Sequence, residues 1–145
     1  MSGVVIYKYL NEMTRRNATD LYLTVGAKPM VRINDVLHPI ADAAISDEDM
    51  TAILGEALTP RQRNEFNAKM ELNLALDTGD GHRFRVNVMR QRQHVAMVIR
   101  WITSKIPGFE ELRVPKVMER LVLEKRGLIM ICGITSSGKS TTLAA

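Results

Sequence analysis

Residues 133–140 form a complete phosphate-binding motif, and this motif constrains the chain more than any other feature. They read Gly-Ile-Thr-Ser-Ser-Gly-Lys-Ser and match G-x-x-x-x-G-K-[ST] at every fixed position. The apolar run 128–132 precedes the motif, and residues 140–145 follow it with helix-compatible side chains. A strand, a loop and a helix in this order predict the start of an α/β domain whose sheet is parallel.

Each residue type in the motif suits the binding of a nucleoside triphosphate. Gly133 and Gly138 let the backbone turn so that successive N–H groups point at phosphate oxygens. Lys139 would reach the β- and γ-phosphates, and Ser140 would ligate Mg²⁺ through its hydroxyl. The motif therefore predicts a nucleoside triphosphate and Mg²⁺ as cofactors. The candidate binding residues are Gly133, Ile134, Thr135, Ser136, Ser137, Gly138, Lys139, Ser140 and Thr141. A chance match in a Gly/Ser turn is the alternative.

Composition places the chain among ordinary globular proteins. It has 145 residues, 46% of them hydrophobic and 25% charged, which suffices for one good core. No apolar run is longer than 128–132, which is far too short for a membrane span, and residues 1–20 lack a signal-peptide pattern. We therefore expect a cytoplasmic protein without membrane insertion. The single cysteine, Cys132, is expected to be a small buried side chain in the strand before the loop.

Positive charge is concentrated in residues 81–109, which carry six Lys/Arg and no Asp/Glu. Residues 1–80 carry eight Lys/Arg against twelve Asp/Glu. The basic stretch favours either an anion-binding wall or a solvated basic face, and composition alone does not decide between them. It lacks the interleaved aromatic side chains typical of single-stranded nucleic-acid binding, so no nucleic-acid partner is expected. The six basic residues are Arg83, Arg85, Arg90, Arg92, Arg100 and Lys105.

Hydrophobic periodicity predicts an α+β domain over residues 1–102, with an antiparallel sheet and helices to one side. Capping signals at Ser46 with Asp49, and at Thr59 before Pro60, predict two consecutive helices, the second with Phe66 and Met70 facing inward. Asn34-Asp35 predicts the turn of a hairpin. The predicted helices are 3–16, 46–58 and one from 59 onward, and the predicted strands are 20–25, 30–33, 36–40, 71–77, 82–89 and 94–103, with turns at 78–81 and 90–93.

Strand alternation makes a specific prediction about two arginines. In strand 82–89, Phe84, Val86 and Val88 share one face, so Arg85 shares the opposite face with its polar neighbours. Arg100 has the polar parity in strand 94–103. We therefore expect Arg85 and Arg100 on neighbouring strands of one sheet.

The pattern changes after residue 102. Ile106-Pro107-Gly108 indicates a linker over residues 103–114. Pro115 then opens a predicted helix, and Gly127 takes the position of its C-terminal cap. Residues 115–145 are thus predicted to begin a second, α/β domain that contains the phosphate loop.

The chain resembles the retraction ATPases of type IV pili, the PilT/PilU family of secretion ATPases. The resemblance is carried by segments 84–87 (Phe-Arg-Val-Asn), 126–128 (Arg-Gly-Leu) and 133–145, by Val114-Pro115 and by the junction from Arg100 to Pro107. It implies a PAS-like N-terminal domain joined to the start of a RecA-like motor core. It also implies a homo-hexamer in the full-length protein, which docks in the cytoplasm on the inner-membrane platform protein of the pilus base. A paralogous retraction ATPase is a further partner that the resemblance implies. Because the chain begins directly with the PAS-like segment, retraction is expected rather than extension.

The resemblance also assigns roles to individual residues. The family's phosphate loop falls on residues 133–140, and its two phosphate-contacting arginines fall on Arg85 and Arg100. Ser136 departs from the pattern, since the family usually has glycine there. The Walker B segment, the catalytic glutamate, and the aspartate and histidine boxes lie beyond Ala145 in the family. We therefore expect the 145-residue chain to be the N-terminal part of an ATP hydrolase and to be inactive alone.

Two other functions stay open at the level of sequence. The chain could belong to another P-loop enzyme, such as a small-molecule kinase, although kinases normally carry the loop near the N-terminus and here 132 residues precede it. It could also be a non-enzymatic PAS-like binding or assembly module. His38, His82 and His94 lack metal-ligand spacing and are expected to be surface or turn residues.

Overall fold

The computed structural model describes residues 5–91, 94–102, 106–134 and 137–145. The chain divides into two compact units, Met1–Ile102 and Thr103–Ala145. Within the described ranges, no helix combines the length and apolar character that crossing a membrane requires.

The first unit is a mixed α+β fold. Its sheet has six strands in the order β3-β2-β1-β6-β5-β4, and every neighbouring pair is antiparallel. The predicted antiparallel sheet with flanking helices is confirmed. The helices are α1 (Val5–Arg15), α2 (Asp47–Ala57) and α3 (Pro60–Lys69), and the strands are β1 (Asp20–Thr24), β2 (Met30–Ile33), β3 (Val36–Pro39), β4 (Glu71–Asp77), β5 (Arg83–Gln91) and β6 (His94–Ile102).

Both predicted helix starts after residue 45 are present as capping boxes. The Ser46 hydroxyl accepts from the Asp49 N–H at 3.0 Å, and the Asp49 carboxylate accepts from the Ser46 N–H at 3.0 Å. Thr59 and Gln62 make the equivalent pair at the start of α3, where Pro60 occupies the first turn. The inward orientation predicted for Met70 is wrong. Met70 ends α3 in the left-handed region, at φ 61°, and its side chain is half exposed.

The β2–β3 hairpin turns without glycine. Asn34 and Asp35 lie at φ 49° and 64°, two consecutive left-handed residues between the paired Ile33 and Val36. Asn and Asp tolerate this conformation because their short polar side chains bond locally, so they support the hairpin predicted here.

The core lies on one face of the sheet. Strand residues of one parity form a single buried cluster with Ile6, Leu10 and Met13 of α1, Ile53 of α2 and Phe66 of α3. The strand members of this cluster are Leu21, Leu23, Val31, Leu72, Phe84, Val86, Val88, Met97 and Ile99. The opposite parity, here called the outer face, carries the polar side chains, as the alternation predicts.

The ends of β5 and β6 differ in part from the prediction. Residues 90 and 91, predicted to lie in the turn 90–93, belong to β5 instead, because β5 continues through Gln91, which pairs with His94. Arg92 and Gln93 lie outside the described residues, as does Thr103, the predicted last residue of the third strand.

The second unit contains two short helices within the described residues, α4 (Val117–Leu121) and α5 (Lys139–Ala144). The helix predicted from 115 to 126 is therefore wrong in length. The strand predicted at 128–132 does not form; Leu128 and Met130 are 82% and 74% exposed. Cys132 is exposed rather than buried. Short apolar segments need packing partners to become regular, and no other strand is present among the described residues of this unit.

Candidate functional site

The two glycines of the phosphate loop meet different constraints. A Cβ on Gly133 would lie 2.5 Å from the Ser137 Oγ, so a larger residue there would require the Ser137 hydroxyl to rotate away. Gly138 lies at φ 85°, a left-handed conformation that glycine adopts without strain. Helix α5 begins directly after it, and the Thr142 N–H donates to the Gly138 carbonyl at 2.9 Å.

Lys139 folds back along the loop. Its Nζ donates to the Ile134 carbonyl at 2.5 Å, which places the ammonium beside the loop backbone. Ser140 is exposed, so its hydroxyl is accessible to a cation. Ser137, Lys139 and Thr141 are among the residues that line a concavity of about 220 Å³ here. This volume suits phosphate groups better than a whole nucleotide, because ligand pockets usually enclose ~300–1,000 Å³.

Thr135 and Ser136 lie outside the described residues. Of the other candidates, Ser137, Gly138, Lys139, Ser140 and Thr141 line the concavity, whereas Gly133 and Ile134 precede them in sequence and are not among its lining residues.

A second candidate site crosses the outer face of the sheet in the first unit. Arg85 on β5 pairs in register with Arg100 on β6, so the two lie directly opposite each other. The predicted neighbouring positions are therefore found, and both arginines are exposed. Arg100 pairs in turn with Asp20 on β1, and Asp20 pairs with Arg32 on β2. One transverse row thus reads Arg32, Asp20, Arg100 and Arg85; we call it the charged row.

Asp20 connects the charged row. Its Oδ1 accepts from the Arg100 Nε at 2.8 Å, and its Oδ2 accepts from the Thr19 hydroxyl at 2.9 Å. Arg32 forms an ion pair with the same carboxylate at 3.8 Å and also donates to the Tyr22 hydroxyl. The hydrogen bond to Asp20 raises the pKa of Arg100, which secures its positive charge.

Arg85 lies in a more open environment. It lines a shallow hollow of about 520 Å³ with Asn73, Ala75 and Ile102 among its neighbours. Like charges directly opposite on paired strands repel each other, so Arg85 and Arg100 create a locally positive surface. Such a surface attracts anions.

The basic residues of 81–109 do not form one wall. Arg83, Arg85 and Arg100 share the outer face, whereas Arg90 has the opposite parity and its guanidinium lies 5.9 Å from the Phe66 ring centroid. Arg92 and Lys105 lie outside the described residues.

Sequence reasoning missed Asp20 and Arg32. Asp20 was predicted only as the first residue of a strand, although its parity with Tyr22 already placed it on the polar face. The strand registers that bring both residues into line with Arg100 depend on sheet order, which alternation alone does not determine.

Comparisons with known proteins agree with this geometry. The type IV pilus ATPase PilU of Pseudomonas aeruginosa is 36% identical over 138 residues, which cover 95% of this chain and 36% of PilU. The type IV pilus retraction ATPase PilT of the same organism is 34% identical over 131 residues, 90% of this chain and 38% of PilT. The chain is therefore similar to the PilT/PilU ATPases over nine tenths or more of its length.

The fold shows the same similarity. A crystal structure of the pilus retraction motor PilT with bound ADP matches with a TM-score of 0.81 at 32% identity, covering 96% of this chain and 41% of that one. No protein-family model matches the chain. The chain spans little more than a third of the length of its PilU and PilT relatives and corresponds to their N-terminal part.

Proposed function

We propose that the chain is the N-terminal part of a hexameric ATPase that retracts type IV pili and so drives twitching motility. The observation that carries the proposal is the complete phosphate-binding motif, at residues 133–140, in a chain similar to PilU and PilT over most of its length. In this account the first unit is a PAS-like domain over residues 1–102. Residues 103–114 are a linker, and residues 115–145 begin a RecA-like motor domain.

ATP and Mg²⁺ are the proposed cofactors. Backbone N–H groups of residues 133–141 would surround the phosphates, and Lys139 would leave the Ile134 carbonyl to contact the β- and γ-phosphates. Ser140 would supply one Mg²⁺ ligand. Mg²⁺ normally keeps several waters and takes few protein ligands, so an exposed hydroxyl is a suitable donor.

Arg85 and Arg100 are the proposed phosphate-contacting arginines of the assembled hexamer. Phosphoryl transfer spreads negative charge over the γ-phosphate oxygens, and a guanidinium stabilises that charge by forked hydrogen bonds. The paired register of the two arginines supports this role, because one phosphate group can meet two adjacent guanidinium groups.

The proposed partners are further copies of the chain in the hexamer, the inner-membrane platform protein of the pilus and a paralogous retraction ATPase. The proposed location is the cytoplasmic side of the pilus base. The chain's similarity to a PilU and a PilT, two pilus ATPases, supports both.

Complementation with the complete protein tests this function. Wild type should restore pilus retraction to cells that lack the gene, and Lys139→Ala should lower ATP turnover by roughly one to two orders of magnitude, the cost of a lost charge-assisted hydrogen bond. Lys125→Ala is the matched control, since Lys125 is an exposed lysine of the same unit outside the motif. Equal turnover and retraction in both variants would contradict the proposal.

A further inference from the structure

Asp20 is the only charged or polar residue that is buried among those the structure describes. Its side chain is 4% exposed, although it lies on the outer face of the sheet, whose other charged side chains face solvent. Burying a carboxylate has a large desolvation cost, which close and well-directed partners must offset. Because a buried ion pair often adds little net stability, stability alone does not explain why a carboxylate is buried at position 20.

The geometry at Asp20 holds one particular guanidinium. Both carboxylate oxygens have partners: Oδ1 accepts from Arg100 and Oδ2 from Thr19, each within 2.9 Å. Arg32 approaches Oδ2 from the opposite strand at 3.8 Å. The carboxylate is thereby fixed on both sides, and it can in turn fix the plane and direction of the Arg100 guanidinium.

The hydrogen bond to Asp20 leaves the terminal amino groups of the Arg100 guanidinium accessible. The hydrogen bonds described for Arg100 use only Nε, and the side chain is still 63% exposed. Its two terminal amino groups thus remain for a forked contact with an anion. Arginine bound through Nε loses much of its rotamer freedom before a phosphate arrives, which lowers the entropic cost of that contact.

Asp20 also reduces the electrostatic repulsion between Arg85 and Arg100. Arg85 and Arg100 oppose each other, and the two charges repel. The carboxylate next to Arg100 offsets this repulsion without neutralising the row, in which Arg32, Arg85 and Arg100 carry three positive charges against one negative charge.

We propose that Asp20 is a positioning residue for ATP hydrolysis, which holds Arg100 beside Arg85 in the orientation that meets the terminal phosphate. The proposal rests on the phosphate-contacting role proposed above for the two arginines. Asp20 itself does not touch the nucleotide in this account, and its effect passes through Arg100.

The first arm of the test measures orientation in the 145-residue chain. The Nε–H signal of Arg100 in ¹⁵N NMR should be that of an ordered side chain in wild type and of a mobile one in Asp20→Asn. Asp77→Asn is the matched control, because Asp77 lies on the same face in register with Arg83 but is exposed. An Arg100 signal that is unchanged by Asp20→Asn would overturn the proposal.

The second arm is a double-mutant cycle in the complete protein. Asp20→Asn should lower kcat roughly tenfold to 100-fold, the scale of a misplaced catalytic group, with KM for ATP changed by no more than about twofold. In an Arg100→Ala background, Asp20→Asn should have no further effect on kcat. If Asp20→Asn does not fold, Thr19→Val removes the hydrogen bond to Oδ2 and replaces it in both arms, with smaller effects in the same direction.

The outcomes of the cycle separate this inference from the proposed function. An equal loss of kcat in both backgrounds would mean that Asp20 acts structurally, and the inference fails. If Arg100→Ala lowers kcat but Asp20→Asn does not, only the inference fails. Unchanged kcat in Arg100→Ala would remove the catalytic role of the arginine pair together with the inference.

Discussion

Arg85 and Arg100 occupy directly opposite positions on the paired strands β5 and β6, with both side chains exposed on the outer face of the sheet. A fold gains no stability from two like charges in this arrangement. Residues that work against local stability are typical of functional sites, where binding a ligand of opposite charge compensates for them.

Replacing Arg85 should therefore leave the fold at least as stable. We expect Arg85→Gln to raise the free energy of unfolding by up to about 0.5 kcal/mol, because it removes the repulsion with Arg100. The effect should shrink at high salt, which screens exposed charges. Urea titrations at low and high ionic strength measure it. Arg83→Gln is the control and should show no gain, because Arg83 lies opposite the uncharged Ile102 on β6 and the acidic Asp77 on β4. A loss for Arg85→Gln beyond that of the control would contradict this account.

The two units should differ strongly in protection against hydrogen exchange. Residues 72–76 pair with β5 in the sheet of the first unit. Residues 128–134, in contrast, form no strand and are largely exposed. We expect residues 1–102 to fold on their own and residues 128–134 to exchange at close to unfolded rates. Mass spectrometry of exchange in the 145-residue chain and in a 1–102 version measures both. Equal protection of 72–76 and 128–134 would be the contrary result.

Acid should remove a contribution of Glu12 to stability. Hydrogen bonds from Arg15, and then from Arg16, lower the pKa of Glu12 to about 2. A carboxyl whose pKa is depressed by folding stabilises the protein fully above its unfolded pKa, and the contribution is lost as the pH falls towards about 2. Glu12→Gln should thus lower the free energy of unfolding by up to about 1 kcal/mol at pH 7, since the ion pairs are partly exposed. The difference from wild type should decrease below about pH 4.5. A difference that does not vary with pH would show that the charge is not responsible.

Residues 1–145 on their own should show no measurable ATP turnover. The motif supplies phosphate contacts and one Mg²⁺ ligand, but no carboxylate near Ser140 is described that could orient an attacking water. Phosphate release by the purified chain, with Lys139→Ala for background, is the measurement. Turnover above background that the Lys139 variant abolishes would refute the expectation.

Much of the first unit was predictable because its local signals agree with its tertiary structure. Short-range hydrogen bonding and backbone preferences determine where two helices and one turn begin, at Ser46 with Asp49, at Thr59 with Pro60, and at Asn34-Asp35. Alternation along β5 places Phe84 and Arg85 on opposite faces of the sheet. The second unit was less predictable. The apolar run 128–132 reads as a strand, yet a strand needs a neighbouring strand to bond with, and a periodic pattern contains no information on whether one is present.

The candidate site was predictable only in part for a related reason. Motif spacing identified Lys139 and Ser140, and parity placed Arg85 and Arg100 on one face. Asp20 is 80 residues away from Arg100 in sequence. Their contact follows from β1 lying next to β6, an order that a single sequence does not reveal.

ATP turnover by the complete protein with Arg85→Ala, beside Arg83→Ala, tests the central claim most directly. Both arginines are exposed on the outer face of β5, two residues apart. The charge lost at Arg85 lies opposite Arg100 and Ala75, whereas the charge lost at Arg83 lies opposite Ile102 and Asp77. The account predicts a fall in kcat of up to ~10³-fold for Arg85→Ala, as for the loss of an arginine that stabilises transferred phosphate, and near wild-type kcat for Arg83→Ala. Equal kcat in the two variants would contradict it and leave the outer face as a solvated basic surface.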